Sequence, residues 1–287
     1  DIAKKNYTKN YRKHIEFWQQ YREAVRNIKI IDPACGSGAF LITAFEFLLN
    51  YNKYLDDKIF DLVGTSDLFS DRTKEILQNN IFGVDLNKES VEITKLSLWL
   101  KSANKNKTLT TLENNIKCGN SLIKDKEFVK DLAFDWKKEF SEVFKNGGFD
   151  IVIGNPPYVR QESIKEIKAY LEQYYRVYTG VADLYCYFYE LGYNLLKDSG
   201  YLGFITSNKW FRAKYGEKLR EFLLNDTEFY NIVDYNGTKI FEGATVDSNI
   251  LIFKKNKVKP PTKDFNKKIS MEENKKFKLQ KAWLNNL

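Results

Sequence analysis

The sequence predicts an α/β fold of the Rossmann-like, doubly wound type, with a mostly parallel sheet of seven strands. Three observations predict it. Seven short apolar runs alternate with helical periodicities along 287 residues, a glycine-rich turn follows the first run, and the fourth run stops at a double proline. A strand that is followed by a helix and then another strand pairs in parallel, because the helix carries the chain back across the sheet. The length allows one large domain or two small ones, with ample material for a core.

Taken in order, Asp1–Asn27 reads as an amphipathic helix on the sheet, since Tyr11, Ile15, Trp18, Tyr21 and Val25 recur at helical spacing. Ile28–Ile31 is the first strand and runs into Asp32-Pro33-Ala34-Cys35-Gly36-Ser37-Gly38-Ala39-Phe40-Leu41. An apolar helix then extends to about Tyr54, and Leu55–Asn80 reads as a mostly helical insertion. Ile81–Asp85 is the second strand, Lys88–Lys101 a helix, and Asn115–Cys118 the third strand, ending at Gly119-Asn120-Ser121-Leu122. Lys124–Gly148 is polar and aromatic and reads as a second insertion. Phe149–Ile153 is the fourth strand, Asp183–Leu196 an amphipathic helix, Tyr201–Thr206 a strand and Ala213–Leu224 a helix. Asn231–Tyr235 and Asp247–Phe253 close the sheet. A charge run and Pro260-Pro261 then signal an exit. The expected domains are a helical segment over 1–27, a catalytic domain over 28–253, and a basic tail or linker over 254–287.

Composition excludes several classes. No apolar run approaches the roughly 18 residues that span a bilayer, and no signal-peptide pattern opens the chain, so no membrane is expected. Cys35, Cys118 and Cys186 lack metal-ligand spacing and His14 is the only histidine, which leaves no metal site. The formal charge is +8, yet Lys254–Leu287 alone carries 11 lysines against 3 acids, so residues 1–253 are formally neutral. A basic tail can engage phosphates or be merely solvated.

Two stretches carry chemistry. In an open α/β sheet, ligands bind beyond the carboxyl ends of the strands. There Gly36 and Gly38 permit a tight turn, and the helix start offers free N–H groups. A dinucleotide loop would bring phosphate to that turn. Here Asp32 places a carboxylate in it, which suits a cationic cofactor. Asp85, closing the second strand, can accept from both ribose hydroxyls or cap the next helix, for which Asn87 is the better candidate. Asn120 reads the edge of a ring or is a turn residue.

The other stretch is Gly154-Asn155-Pro156-Pro157-Tyr158-Val159-Arg160-Gln161-Glu162. Pro157 forces Pro156 into an extended conformation, and both rings remove N–H donors, leaving acceptors only. Together with the Asn155 side-chain carbonyl, these acceptors can take both hydrogens of an exocyclic amine. Tyr158 offers a face worth about 1–3 kcal/mol per stacked base. Such an amine is a poor nucleophile, so hydrogen bonds that strengthen as it pyramidalises act in the transition state.

Asp32–Leu41 and Asn155–Tyr158, in this order, resemble two motifs of the S-adenosylmethionine-dependent DNA adenine-N6 methyltransferases, a class I methyltransferase group, in particular the type IIG restriction-modification enzymes of the Eco57I kind. Ala182-Asp183-Leu184-Tyr185 and Gly203-Phe204-Ile205-Thr206-Ser207-Asn208 are similar to later family segments. The resemblance covers Ile28–Phe253. It implies that Asp32, Ala34, Gly36, Gly38 and Phe40 surround the methionine part of S-adenosyl-L-methionine, that Asp85 holds its ribose and Asn120 its adenine, and that Cys35, Leu86 and Ser121 complete the cofactor-binding set. It further implies a catalytic set of Asn155, Pro156, Pro157 and Tyr158, in which Asn155 and Pro156 bind the target amine and Tyr158 stacks on a flipped adenine of double-stranded DNA. Phe241 either covers the other face of that base or belongs to the core. Flipping costs a few kcal/mol, and in-line methyl transfer then depends on positioning rather than on a strong base.

Two departures from the family pattern stand out. Asn120 replaces the usual Asp, and only Tyr7-Thr8-Lys9 remotely resembles the opening cofactor-covering segment. The resemblance implies a target-recognition domain outside the chain, allows a nuclease domain there as well, and places the protein in a bacterial or archaeal cytoplasm. Its competitors are methylation of a protein glutamine amide and a catalytically idle DNA-binding module.

Overall fold

The computed structural model describes residues 11–64, 71–102, 111–235, 237–238, 240 and 247–256, and the backbone of residues 2–10. Its seven strands form a mostly parallel sheet. The chain divides into two compact units, Asp1–Cys118 and Gly119–Leu287.

The first unit comprises α1 (Ile2–Asn27), β1 (Ile30–Asp32), α2 (Ala39–Val63), α3 (Arg72–Asn79), β2 (Ile81–Asp85), α4 (Lys88–Ser102) and β3 (Ile116–Cys118). Both β1 and β3 pair in parallel with β2, with Asp32 opposite Gly83 and Asp85 opposite Cys118. Strands covered on both faces read as continuous apolar runs. Accordingly Ile31, Ile81 and Val84 are fully buried. Helix α2 buries Leu41, Phe45, Leu48, Leu55 and Ile59 along one stripe, each worth about 1.5–3 kcal/mol when fully buried. That stripe continues past Tyr54, which is why the helix runs on to Val63 through the expected insertion.

Helix α1 packs against α2 and α3 instead of lying on the sheet as expected. Its stripe is mostly aromatic and interleaved with arginine, which suits a helix pair. Arg22 reaches Asp56 at 3.3 Å and Arg26 reaches Glu75 at 2.9 Å. The Tyr21 and Tyr51 hydroxyls share a 2.7 Å hydrogen bond, and Trp18 meets Tyr54 edge-on.

In the second unit, α5 (Lys126–Val129), α6 (Trp136–Glu139) and α7 (Ser141–Lys145) lead to β4 (Phe149–Gly154). Next come α8 (Lys168–Tyr174), α9 (Tyr185–Leu195), β5 (Leu196–Ser207), α10 (Glu217–Asp226), β6 (Thr227–Asp234) and β7 (Ser248–Lys255). β4 pairs in parallel with β5, while β7 runs antiparallel between β5 and β6. The supposed insertion at 124–148 is a packed aromatic cluster. Phe134 meets Trp136 at 5.0 Å, and Phe140 and Phe144 both meet Phe149 edge-on. The Trp136 indole N–H donates to Ser121 O at 2.8 Å, so the polar end of this ring is satisfied as burial requires.

Helix α9 departs from the expected amphipathic pattern: Tyr185–Gly192 is buried all round. Tyrosine permits this because each hydroxyl finds a partner inside. The Tyr185 hydroxyl meets that of Tyr215, Tyr187 donates to Thr179 O, and Tyr189 meets Thr206 Oγ1. Buried Glu190 accepts from Val177 N–H and from Arg176. Strand β7 runs past Phe253 through Lys254 and Lys255. Lys255 turns its ammonium back onto Leu196 O, keeping the charge at the edge while its stem packs.

Candidate active site

In the first unit the carboxyl ends of β1 and β2 bring two carboxylates together. Asp32 is buried and accepts from Ala34 N–H at 3.0 Å. Burial, reinforced by neighbouring Asp85, pushes its carboxyl up to about 7. Asp85 is half-buried; one oxygen accepts from Gly36 N–H at 2.8 Å and the other from Asn87 N–H at 2.9 Å. Asn87 in turn caps α4, its Oδ1 accepting from Ser90 N–H. Asp85 is therefore not the cap of that helix.

Between these carboxylates the turn is left-handed at Gly36 (φ 53°) and Gly38 (φ 85°). At Gly38 a Cβ would lie 2.8 Å from Thr94 Cγ2, so both the backbone angle and the packing demand glycine. At Gly36 a Cβ would meet nothing within 4 Å: open space lies over a turn whose N–H is already aimed at a carboxylate. Ala34 is half-buried, Cys35 is buried with its N–H on Val84 O, and Phe40 and Leu86 are exposed. Burial drives the Cys35 thiol pKa upward, so it stays neutral and serves as packing. The turn, the two acids and the uncapped start of α2 fit a ligand that is cationic at one end and offers hydroxyls at the other.

The second unit holds the other candidates. Asn120 is half-buried and its Oδ1 accepts from Leu122 N–H, while Ser121 is buried with its carbonyl on Trp136. At the end of β4, Pro156 is buried, and Asn155, Pro157 and Tyr158 are half-buried. Asn155 Oδ1 is itself buried and accepts no hydrogen bond among the described residues. A buried acceptor left unpaired costs about 1–3 kcal/mol, so Asn155 Oδ1 has capacity for a donor that the described residues do not supply.

Tyr158 is fixed at both ends. Its hydroxyl makes a long 3.4 Å bond to Ile205 O and also hydrogen-bonds the Ser248 side chain. Its ring packs edge-on against Tyr185 at 5.9 Å. Burial raises the phenol to about 12, so it remains protonated. Beyond it, Leu184 N–H donates to Val159 O, tying Ala182–Tyr185 to the segment after the prolines. Phe241 lies outside the described residues.

Three contributors escaped the sequence reading. Thr94 donates to Gly36 O at 2.8 Å and holds the turn; a polar residue on the buried face of α4, beside Val91 and Leu98, was its signal. Ser248 and Ile205 grip Tyr158 from strands distant in sequence; Ile205 lies in the family-like segment Gly203–Asn208, but nothing local marks the contact with Tyr158.

A family model described as Eco57I restriction-modification methylase matches residues 79–241, more than half of the chain. The type II restriction enzyme and methyltransferase RM.Eco57I of Escherichia coli is 30% identical over 80% of this chain and 25% of its own length. The type II methyltransferase M.BstVI of Geobacillus stearothermophilus is 31% identical over 76% of this chain and 35% of its own. The chain thus spans between a quarter and about a third of the length of these relatives. The type IIL restriction-modification enzyme MmeI, solved in complex with DNA, shares the fold with a TM-score of 0.61 at 18% identity, over 84% of this chain and 33% of its own.

Proposed function

Because the chain belongs to the Eco57I restriction-modification methylase family, we propose that it methylates the N6 amine of a flipped adenine in double-stranded DNA, with S-adenosyl-L-methionine as donor. The observation that carries this reading is the buried Asn155 Oδ1 at the end of β4, which has no hydrogen-bond partner among the described residues. Proline rings follow it, so no backbone donor from Pro156 or Pro157 competes for the acceptors there. An aromatic exocyclic amine satisfies this carbonyl and a neighbouring backbone carbonyl with its two hydrogens, and the bonds strengthen as the nitrogen becomes tetrahedral. Tyr158, pinned through its hydroxyl, offers its ring as the stacking face.

On the cofactor side, Asp32 and Asp85 are the residues that would hold the donor. S-adenosyl-L-methionine, when bound, supplies an electrophilic methyl on a cationic sulfonium. Asp32 supplies negative charge at the glycine turn, and Asp85 has the acceptor capacity to take a ribose hydroxyl pair. No described residue near Asn155 acts as a strong base in this scheme, and none is required. A proton leaves a methylated, cationic nitrogen readily. As the modification part of a restriction-modification system, the chain would work with recognition and nuclease functions carried elsewhere.

The test is transfer of labelled methyl groups to genomic DNA, followed by nucleoside analysis. N6-methyladenine is expected; label in protein glutamine, or in cytosine alone, would reject the reading. Asn155→Ala is expected to lower turnover by at least 100-fold, in line with loss of a transition-state hydrogen bond, while cofactor affinity measured by calorimetry stays within a few-fold. Near wild-type turnover would remove Asn155 from the mechanism.

A further inference from the structure

β5 runs parallel to β4, with Gly154 opposite Phe204, so the segment that follows Ser207 emerges at the same sheet edge as Asn155. That segment is a pair of short 3-10 turns, Asn208–Phe211 and Lys214–Gly216. Its aromatic anchor points inward: Trp210 is buried and its indole N–H donates to buried Asn249. Arg220 staples the turns from beneath, donating to both Trp210 O and Ala213 O. Asn208 is held by Asp234 at 2.8 Å.

On this rigid platform Lys209, Arg212 and Lys214 are exposed, as is Arg160, two residues beyond Tyr158. None of these four cations makes a side-chain ion pair or hydrogen bond among the described residues. Elsewhere in the unit, Arg176 and Lys197 reach carboxylates, and Lys168 reaches Gln161 and the Gly180 carbonyl. Arg160 and Lys209, from segments far apart in sequence, both act electrostatically on Asp183. Asp183 feels both Arg160 and Lys209, and Glu162 feels Arg160, while no carboxylate of the described residues pairs with Arg212 or Lys214.

We propose that Arg160, Lys209, Arg212 and Lys214 form a clamp for the phosphodiester backbone of DNA, at the sheet edge that carries Asn155–Tyr158. The partner follows from charge complementarity and place. The anchored turns fix where the backbones of Lys209, Arg212 and Lys214 stand, and phosphate contacts fix register without reading sequence. The inference rests on the DNA reading above and adds where the strand is held.

The experiment is binding of a fluorescein-labelled, mixed-sequence DNA duplex by the whole chain across a salt series. Neutralising a phosphate-contacting cation lowers the slope of log affinity against log salt by about 1. Arg160→Gln with Lys209→Gln is expected to lower it by about 2, and Arg212→Gln with Lys214→Gln to lower it also. Arg160→Lys should retain it, and cofactor binding should be unchanged in every variant. Lys13→Gln with Lys53→Gln, on α1 and α2, is the matched control and should leave the slope alone. An unchanged slope in both clamp pairs overturns the clamp while leaving adenine methylation standing. An equal loss in the control overturns its location. A wild-type chain that neither binds nor methylates DNA overturns the clamp and the DNA reading together.

Discussion

Asp32 illustrates how a single residue couples folding to ligand binding. Its carboxyl moves from an ordinary 3.8 to about 7, chiefly through burial. Because the folded value is the higher one, the penalty for a buried charge is absent below pH 4, grows through pH 4 to 7 and is complete above that. Asp32→Asn should therefore flatten the pH dependence of unfolding free energy between pH 5 and 8 and raise stability at the upper end. Parallel urea titrations at the two pH values check this. A cationic cofactor favours the ionised form, so its binding at pH 6 should release a proton from Asp32. Calorimetry in buffers of different ionisation enthalpy would detect the release, and its absence would argue against Asp32 facing the cation.

At the level of elements, three side chains hold backbones that no regular ladder satisfies. The Asn80 amide donates to Val25 O, Arg26 O and Ile28 O, joining the end of α1 to the approach to β1. Asn115 does the same for Leu77, Gln78 and Ile81. Thr94, on α4, holds the glycine turn. Carbonyls near a buried helix end need such partners. Asn80→Ala is expected to cost about 1–3 kcal/mol in unfolding free energy by removing the amide's bonds to these carbonyls, of which only Val25 O keeps a backbone donor among the described residues, Ile28 N–H, with cofactor affinity largely retained. Chemical denaturation measures the first and calorimetry the second. A neutral substitution would show that water replaces the amide.

For the whole molecule, net charge conceals its own distribution. All of the +8 lies from Lys254 onward, and the body sums to zero. Lys254 and Lys255 belong to β7, where Lys255 packs against Leu196 and Lys254 lies over Tyr201. Deleting residues 257–287, which hold nine lysines and three acids, should lower the salt slope of DNA binding without changing cofactor affinity. A lost cofactor site after deletion would show that the tail has a structural part to play.

The sequence alone determined the elements whose signal is local: the apolar strand runs, the glycine turn after β1, and the double proline that halts β4. It also marked Asp32, Asp85 and Asn155 as candidates, because a carboxylate or amide at a strand end is legible from its neighbours in the chain. Helix limits were less legible. α2 continued because its apolar stripe continued, and α9 was buried all round because each tyrosine hydroxyl found an internal partner. Tertiary structure decided what depends on residues distant in sequence. It left Asn155 Oδ1 without a partner among the described residues, fixed Tyr158 by Ile205 and Ser248, and raised the Asp32 carboxyl by burial. It also set Arg160 and Lys209 around Asp183. The reason is physical: desolvation, pairing and local field are sums over neighbours in space, and only folding brings those neighbours together.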